Sequence, residues 1–257
     1  MPGDPVVTLI AGLFGLVLGS FLNVCILRLP AEQSVVRPGS RCPRCGYVLR
    51  WYDNIPVASW LLLAGKCRSC RAPISVQYPL VELATALLWA GFAWAHGVSL
   101  PLVQGAAFFT ILLGIAMTDA REYIIPDEFS LGGLALGVAL AIPGGSRPIG
   151  EALLGAALGF GLLYVVAVVG KAVFKEEAMG GGDIKMMAMV GAFTGWTGVL
   201  LTIFLGSLLG TLIFVPLALV GRKKLVPFGV FLALGAAATY LWGPVIVTWY
   251  RSYLAAT

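Results

Sequence analysis

Charged residues are scarce in this chain of 257 residues: Asp, Glu, Lys and Arg make up only 11%, while 59% of the residues are hydrophobic. A soluble domain carries about 25% charged residues, so the composition excludes an ordinary soluble protein. Runs of about 20 apolar residues recur along nearly the whole length, and each is long enough to cross roughly 30 Å of hydrocarbon as a helix. The sequence therefore predicts an all-α polytopic membrane protein.

Histidine is almost missing, since His96 is the only one. Without a second histidine, neither a catalytic zinc site nor a Ser/His triad has much support, and we expect His96 to be a surface residue.

Basic residues are also absent before the first apolar run, at 6–27, and no small-residue cleavage site follows it before Arg28. A cleaved signal peptide needs the opposite flanks, so we expect a retained first span.

The apolar runs predict about eight transmembrane helices. They cover residues 6–27, 78–95, 100–117, 129–142, 151–174, 185–192, 198–220 and 228–250. The fourth and sixth are short and bordered by Gly and acidic residues, which indicates helices that begin or end beside a wet cavity inside the protein. The predicted domains are a first helix at 1–27, a cytoplasmic zinc-binding loop domain at 28–77 and a multi-helix domain at 78–257.

Basic residues predict the orientation. With the N-terminus outside, all of the 17 Lys and Arg residues except Arg147 and Arg251 fall on the cytoplasmic side, as the positive-inside rule requires. The net charge of +5 then follows from topology and from attraction to anionic lipid head groups. It gives no reason to expect nucleic acid as a partner.

Four of the five cysteines form two C-x-x-C pairs with 21 residues between the pairs, namely Cys42/Cys45 and Cys67/Cys70. Two such knuckles can close a tetrahedral site with no open position for water, so we predict a structural zinc site with four cysteine ligands, in a loop too small to form a good core alone. Two disulfides are the alternative, which a reducing cytoplasm disfavours. Cys25 is expected to be a small buried hydrophobic residue.

Acidic residues at the ends of apolar runs are the candidate catalytic groups, because ionisable side chains there are costly and usually functional. Asp119 ends the third predicted span, and Asp183 opens the sixth. The topology places both at the cytoplasmic level, where two close carboxyl groups would share one proton and supply a base and an acid for peptide hydrolysis. The alternative is that they cap helices or lie in solvated loop ends.

Further residues around this pair leave alternatives open. Asp127 is the main competitor of Asp119 for the first position and could equally cap the fourth span. Glu82, near the inner end of the second span, is another buried carboxylate, which we expect to be salt-bridged to the basic loop. The glycines 180–182 leave a backbone edge to which an extended peptide can add.

Several motifs resemble one family in their order and combination, over nearly the whole chain. They are Gly19-Ser20-Phe21-Leu22-Asn23-Val24, Arg28-Leu29-Pro30, the paired cysteines, Asp53-Asn54-Ile55-Pro56, Ser59-Trp60, Tyr78-Pro79-Leu80-Val81-Glu82-Leu83, Asp119, Ile125-Pro126-Asp127, Gly180-Gly181-Gly182-Asp183 and Pro227-Phe228-Gly229. In these residues the chain is similar to the type IV prepilin peptidases, which are bifunctional leader peptidases and N-methyltransferases. Two positions depart from the pattern: Thr118 replaces an apolar residue, and Val230 replaces a proline that often follows Phe-Gly.

The resemblance implies a bacterial inner-membrane enzyme of the GxGD aspartyl type. Asp119 and Asp183 would cut the leader of type IV prepilins and type II secretion pseudopilins after a glycine. The new N-terminal amine, commonly of Phe, would then be methylated with S-adenosylmethionine. Because no Gly-rich Rossmann signature is present, the cofactor contacts stay open, with Glu82 as one candidate; the oligomeric state stays open as well.

Leader recognition follows from charge. Pilin leaders are generally basic, whereas the loop carries eight basic residues against Glu32 and Asp53, so the loop should repel leaders and lie on anionic lipid. We expect substrate to be received by the glycines 180–182 and by Glu122, Asp127, Glu176 and Glu177. Two other functions remain as alternatives: a proton-coupled transporter with a structural zinc knuckle, for which we find no internal repeat, and a non-catalytic scaffold.

Overall fold

A computed structural model describes residues 2–142, 147–176, 179–219 and 227–256. Within these ranges the chain forms eight α-helices, one 3-10 turn at Trp51–Asn54 and no β-strand. The helices are α1 (Pro5–Arg28), α2 (Ala58–Leu62), α3 (Gln77–His96), α4 (Leu100–Glu122), α5 (Asp127–Ala141), α6 (Ile149–Phe174), α7 (Gly181–Leu219) and α8 (Phe228–Ala256). The predicted all-α class is confirmed.

Six of the described helices, α1, α3, α4, α6, α7 and α8, are long and apolar enough to cross a membrane, so the chain is a multi-pass membrane protein. Helix α5 has only 15 residues and rises about 22 Å, less than the hydrocarbon thickness. Helix α7 joins the spans predicted at 185–192 and 198–220. It is interrupted at Gly195, whose φ of 72° and ψ of 179° are not helical, and this break lies where the two spans were separated.

The chain divides into two compact units, Met1–Thr110 and Ile111–Thr257, with the boundary inside α4. We call them the first and the second unit. Helix α1 ends at Arg28 and α3 begins at Gln77, both within the first unit; the predicted domains 1–27, 28–77 and 78–257 stay a prediction.

Helices α1 and α3 form an antiparallel pair in the first unit. Gly15 lies opposite Ala86 and Gly19 opposite Glu82, where an added Cβ would come within 2.8 and 2.7 Å of the facing Cα atoms. Small residues four positions apart allow two membrane helices to approach this closely. The loop 29–76 therefore leaves from the end of α1 and returns at the start of α3, so both of its ends are tied to this helix pair.

The second unit is built around α7, against which α5, α6 and α8 all pack. Met186, Met187 and Val190 are fully buried there, as expected for a helix that is apolar on every side. Helices α6 and α7 cross at Gly155 and Gly191, whose backbones are so close that neither position has room for a side chain. This packing fixes the start of α7, which carries Asp183.

Candidate metal centre and carboxylate site

The four paired cysteines meet at one point in the first unit. Their Sγ atoms all lie within 4.8 Å of one another, with Cys42 to Cys70 at 3.8 Å and Cys45 to Cys67 at 4.0 Å. Four thiolates around a zinc ion stand about 3.8 Å apart, whereas a disulfide bond measures about 2.05 Å. All four cysteines are free, so the alternative of two disulfides is wrong for this structure, and the donor set can hold a metal ion.

Each cysteine pair lies on a knuckle closed by the backbone. The N–H of Cys42 donates to the carbonyl of Tyr47 at 2.9 Å, and the N–H of Cys67 donates to that of Ala72 at 2.8 Å. The two knuckles therefore have the same hydrogen-bonding pattern. They present their sulfur atoms from rigid turns rather than from a flexible loop.

The two knuckles differ in the residue that adopts the left-handed conformation. The fourth residue after the first cysteine is left-handed in both, but it is Gly46 with φ 72° in one and Arg71 with φ 58° in the other. Because only glycine adopts this conformation without a steric cost, the second knuckle is the more strained.

In the first knuckle, the N–H groups of Cys45 and Arg44 lower the pKa of Cys42 to about 6, which favours the thiolate that binds metals.

Asp53 joins the two knuckles. Arg68, from the second knuckle, donates through Nε to Asp53 Oδ1 at 2.6 Å, while Tyr47 Oη and the Arg50 N–H donate to Oδ2 at 3.1 and 3.2 Å. Burial would raise the pKa of Asp53, but these hydrogen bonds, with Arg68 foremost, outweigh it and lower the pKa. Asp53 is therefore an ionised structural hub of the loop.

Glu82 is buried on α3, and its recorded partners are not basic side chains. Its Oε2 accepts the backbone N–H of Val57 at 2.7 Å, and Ser20 on α1 is a second hydrogen-bond partner. Among the described residues, Glu82 appears in no salt bridge, so the predicted pairing with the basic loop is not found there. Val57 has φ 60°, an outlier for a β-branched residue, and Glu82 thus holds a strained turn of the loop against α1 and α3.

Asp119 lies buried in the last turn of α4 and faces the first turn of α8. The N–H of Val230 donates to Asp119 Oδ2 at 3.0 Å, and the N–H of Gly229 is a second donor. An added Cβ on Gly229 would lie 2.9 Å from Oδ2, so only glycine lets the helix come this close. The start of α8 therefore offers its free N–H groups to this carboxylate.

Asp183 is half-buried in the first turn of α7. Its carboxylate accepts the N–H of Gly180, and its charge interacts with that of Asp119. Two carboxyl groups carried by α4 and α7, far apart in the sequence, are thus within electrostatic reach of each other inside the second unit. Asp119 accepts backbone N–H groups at the start of α8, and Asp183 accepts the N–H of Gly180, the residue just before α7.

Ile125 separates the two helix starts. An added Cβ on Gly182 would come within 2.9 Å of Ile125 Cβ, and one on Gly229 within 2.7 Å of Ile125 Cδ1. The buried side chain of Ile125 therefore touches the first turn of α7 and the first turn of α8. It sets the spacing between the backbones that carry Asp183 and the donors to Asp119.

The remaining acidic residues lie nearer solvent. Asp127, at the start of α5, is bound through both carboxylate oxygens by Lys185 Nζ, at 2.7 and 2.8 Å. Glu122 and Glu176 are exposed, and Glu177 lies outside the described residues. It is Asp119, rather than Asp127, whose charge reaches Asp183.

His96 and Cys25 are placed as expected from the sequence. His96 is exposed at the end of α3 and stacks on Phe92, with ring centroids 6.0 Å apart. Cys25 is buried in α1. Among the described residues, the four paired cysteines are the one group arranged to hold a metal ion.

Sequence reasoning missed three contributors to these sites: the hub role of Asp53, the N–H donors at Gly229 and Val230, and the partner of Asp127, Lys185. Asp53 and Gly229 stand in motifs to which the sequence alone assigns no role. The charge of Lys185, two residues after Asp183, could have indicated a nearby carboxylate. A backbone N–H donor gives no signal in a sequence.

Comparison with known proteins covers most of the chain. Residues 13–96 match the family model described as the bacterial peptidase A24 N-terminal domain, and residues 106–215 match that of the type IV leader peptidase family. The first match lies within the first unit and includes the four cysteines; the second includes Asp119 and Asp183. No solved structure matches the chain.

Several curated relatives carry the name prepilin leader peptidase/N-methyltransferase. The chain is 43% identical over 215 residues to the protein of Myxococcus xanthus, covering 83% of this chain and 64% of that protein. It is 39% identical over 274 residues to that of Pseudomonas aeruginosa, covering 94% and 91%. The protein of Neisseria gonorrhoeae is 34% identical over 231 residues, covering 80% and 81%.

Proposed function

The chain belongs to the type IV leader peptidase family, and on that premise we propose that it is a prepilin leader peptidase and N-methyltransferase. The peptidase would be an aspartyl endopeptidase whose catalytic groups are Asp119 and Asp183. The observation that carries this assignment is the charge interaction between these two carboxyl groups within one compact unit, where Asp119 faces the first turn of α8 and Asp183 lies in the first turn of α7. Two acid groups so arranged can act on one water molecule.

Peptide hydrolysis needs a group that takes a proton from water and one that gives a proton to the substrate. We assign the first role to Asp119, because the N–H groups at the start of α8 stabilise a negative charge, and the second to Asp183. The water oxygen bonds to the scissile carbonyl carbon as Asp119 takes its proton and Asp183 protonates the carbonyl oxygen. These transfers give a tetrahedral intermediate with two hydroxyl groups. Its C–N bond then breaks as Asp119 passes its proton to the amine, and the hydroxyl formed from the carbonyl oxygen returns a proton to Asp183.

The proposed substrates are type IV prepilins and type II secretion pseudopilins, cut after a leader glycine. Such a precursor is anchored by its own apolar helix and presents the leader junction at the bilayer edge. We propose that the bilayer is the bacterial inner membrane and that both aspartates face the cytoplasm, which agrees with the distribution of basic residues. An extended segment would add to the open backbone edge at 180–182.

Exposed acidic residues around Asp119 and Asp183 would bind the positive charges of the leader. The proposed residues are Glu122, Asp127, Glu176 and Glu177. Glu122 and Glu176 are exposed and suit this role, whereas Asp127 is already paired with Lys185. Neutralising all four should raise the KM for a basic leader; an unchanged KM would refute the idea.

For the transferase activity we propose S-adenosylmethionine as the methyl donor. When bound, it would supply an electrophilic methyl group from a sulfonium cation. Two buried acceptors on the α1/α3 pair fit a cationic group: the Glu82 carboxylate, and Asn23 Oδ1, which has no hydrogen-bond partner among the described residues. We propose that Glu82 and Asn23 would hold the donor or the substrate amine.

The cysteine centre has a structural role in this proposal, with zinc as its metal. Four thiolates leave no open position for catalysis, and zinc is the usual choice for such a set. The loop should also rest on anionic lipid: Trp51 and Leu62 are 80% and 86% exposed in a segment rich in Arg. Tryptophan favours the head-group level, and basic residues favour anionic lipid.

One assay tests the peptidase directly. Membranes carrying wild type, Asp119→Asn or Asp183→Asn are incubated with a type IV prepilin, and loss of the leader is followed by mass. Asn keeps the shape of Asp but cannot transfer a proton, so both variants should lose cleavage at an unchanged protein level. Full activity in either variant would refute the assigned pair.

The alternative functions gain nothing from the comparisons. All the relatives described above are named as peptidases and methyltransferases, and none as a transporter, so the proton-coupled transporter is not supported. A non-catalytic scaffold would be favoured only if the wild-type chain failed to cut any prepilin in the same assay.

A further inference from the structure

The ion pair between Asp127 and Lys185 connects two helix starts in the second unit. Asp127 is the first residue of α5, and Lys185 follows Asp183 by two positions in the first turns of α7. Lys185 Nζ reaches both carboxylate oxygens, at 2.7 and 2.8 Å. The side chains are 37% and 55% exposed, so the pair contributes little to folding stability, and its geometry calls for another explanation.

The segment 125–127 touches the start of α7 on both sides of Asp183 in the sequence. Ile125 packs against Gly182 on one side, and Asp127 binds Lys185 on the other. Ile125 also packs against Gly229, the residue whose N–H donates to Asp119. One short connection therefore holds the turn that carries Asp183 in register with the turn that supports Asp119.

We propose that Lys185 and Asp127 are positioning residues for the peptidase reaction and hold Asp183 at the distance from Asp119 that one water requires. The inference rests on the proposed aspartyl mechanism and deepens it. It also gives Asp127 a role other than leader binding, because Lys185 neutralises much of the negative charge of a carboxylate that it binds through both oxygens.

Placement of a reacting group by a fraction of an ångström changes the chemical step more than it changes binding. Loss of either partner should therefore lower kcat about tenfold and leave KM within about twofold. If Asp127 instead received the leader, its loss would raise KM, and loss of Lys185 would leave cleavage unharmed. The two readings thus differ in which constant moves and in which variants move it.

The experiment measures kcat and KM for leader cleavage by the full chain in proteoliposomes. Variants are Lys185→Met, Asp127→Asn, the conservative Lys185→Arg and the exchange Lys185→Asp with Asp127→Lys; Lys175→Met is the control for loss of a positive charge just before α7. Lys185→Met and Asp127→Asn should both lose kcat, whereas Lys185→Arg should keep most of it, since Arg can bind both oxygens. The exchange should recover part of the loss because it restores the ion pair, but not all of it, because Lys at the start of α5 is unfavourable to the helix dipole.

Several results would overturn the proposal. The first is an unchanged kcat in Lys185→Met, and the second is a rise of KM that occurs only in Asp127→Asn. The third is an exchange variant whose thermal unfolding midpoint matches the wild type but whose kcat is no higher than that of either single variant. Lys175→Met should behave as wild type in kcat; an equal loss there would reduce the effect to net charge. A wild-type chain that cuts no prepilin would refute the proposed function itself, which is a separate outcome.

Discussion

The two candidate sites are built in opposite ways. The cysteine centre takes all its ligands from residues 42–70 and is held by backbone hydrogen bonds within two short knuckles. The carboxylate site gathers Asp119, Asp183 and the donors of Gly229 and Val230 from α4, α7 and α8. The first is a local structure whose four donors can hold a metal ion, and the second is a product of helix packing.

Their chemistry differs in the same sense. Four soft thiolates would saturate a tetrahedral ion and leave no open position for a reaction, whereas two close carboxyl groups can share one proton. We therefore expect substitutions in the cysteine centre to unfold the loop 29–76, and substitutions in the carboxylate site to stop leader cleavage without unfolding the protein.

Loss of one cysteine ligand should have the largest structural effect. Cys45→Ser should release the metal and raise amide hydrogen exchange across residues 29–76 by at least about 100-fold, because a structural zinc ion contributes roughly 10 kcal/mol or more to such a fold. Amides in the buried part of α7 should keep their protection. Cys25→Ser, outside the centre, is the control and should retain the metal; unchanged exchange in the loop of Cys45→Ser would break the comparison.

Glu82→Gln should separate the two activities. Removing the buried charge should lower methylation of a mature pilin by about 100-fold, while leader cleavage stays within about twofold. Asp119→Asn is the matched control and should do the reverse, methylating mature pilin normally but cutting no precursor. Equal loss of both activities in Glu82→Gln would mean that Glu82 only supports the fold.

Asp53→Asn should weaken the loop moderately. The buried carboxylate loses its pairing with Arg68, but Arg68 is 46% exposed, so we expect a cost of only about 1–2 kcal/mol. The lowered pKa of Asp53 means that its contribution is complete above the unfolded pKa of about 3.9 and is lost as the pH falls through the folded value. The difference in metal release rate between wild type and variant should therefore be constant from about pH 6 to 8; a difference that changes across this window would contradict the assignment.

Arg71→Gly should produce the smallest effect, and a stabilising one. Glycine removes the steric cost of the left-handed residue, about 1 kcal/mol, but adds flexibility to the unfolded chain, so the net gain should be about 0.5 kcal/mol. Slower metal release by roughly twofold would show it. Arg71→Ala removes the same charge and keeps the Cβ, so it should not slow release; Gly46→Ala should accelerate it.

The same contrast explains what the sequence could predict. The cysteine centre was predictable because C-x-x-C spacing directly encodes ligand geometry. Asp119 and Asp183 were predictable as candidates from their place at the ends of apolar runs, but their approach depends on the crossings of α7 with α6 and α8, which no local pattern describes. The break at Gly195 falls in the gap between the two apolar runs predicted at 185–192 and 198–220, whereas the pairing of Lys185 with Asp127 joins residues that are far apart in the sequence.

The most direct test of the central claim is a double-mutant cycle on leader cleavage with Asp119→Asn, Asp183→Asn and the double variant, at equal protein level in proteoliposomes. Groups that share one proton and one water act as a unit, so each single variant should lose activity by at least about 1,000-fold and the double variant should be no worse than either. Losses that multiply, or a single variant that keeps substantial activity, would show that the two carboxyl groups work independently and would contradict the account.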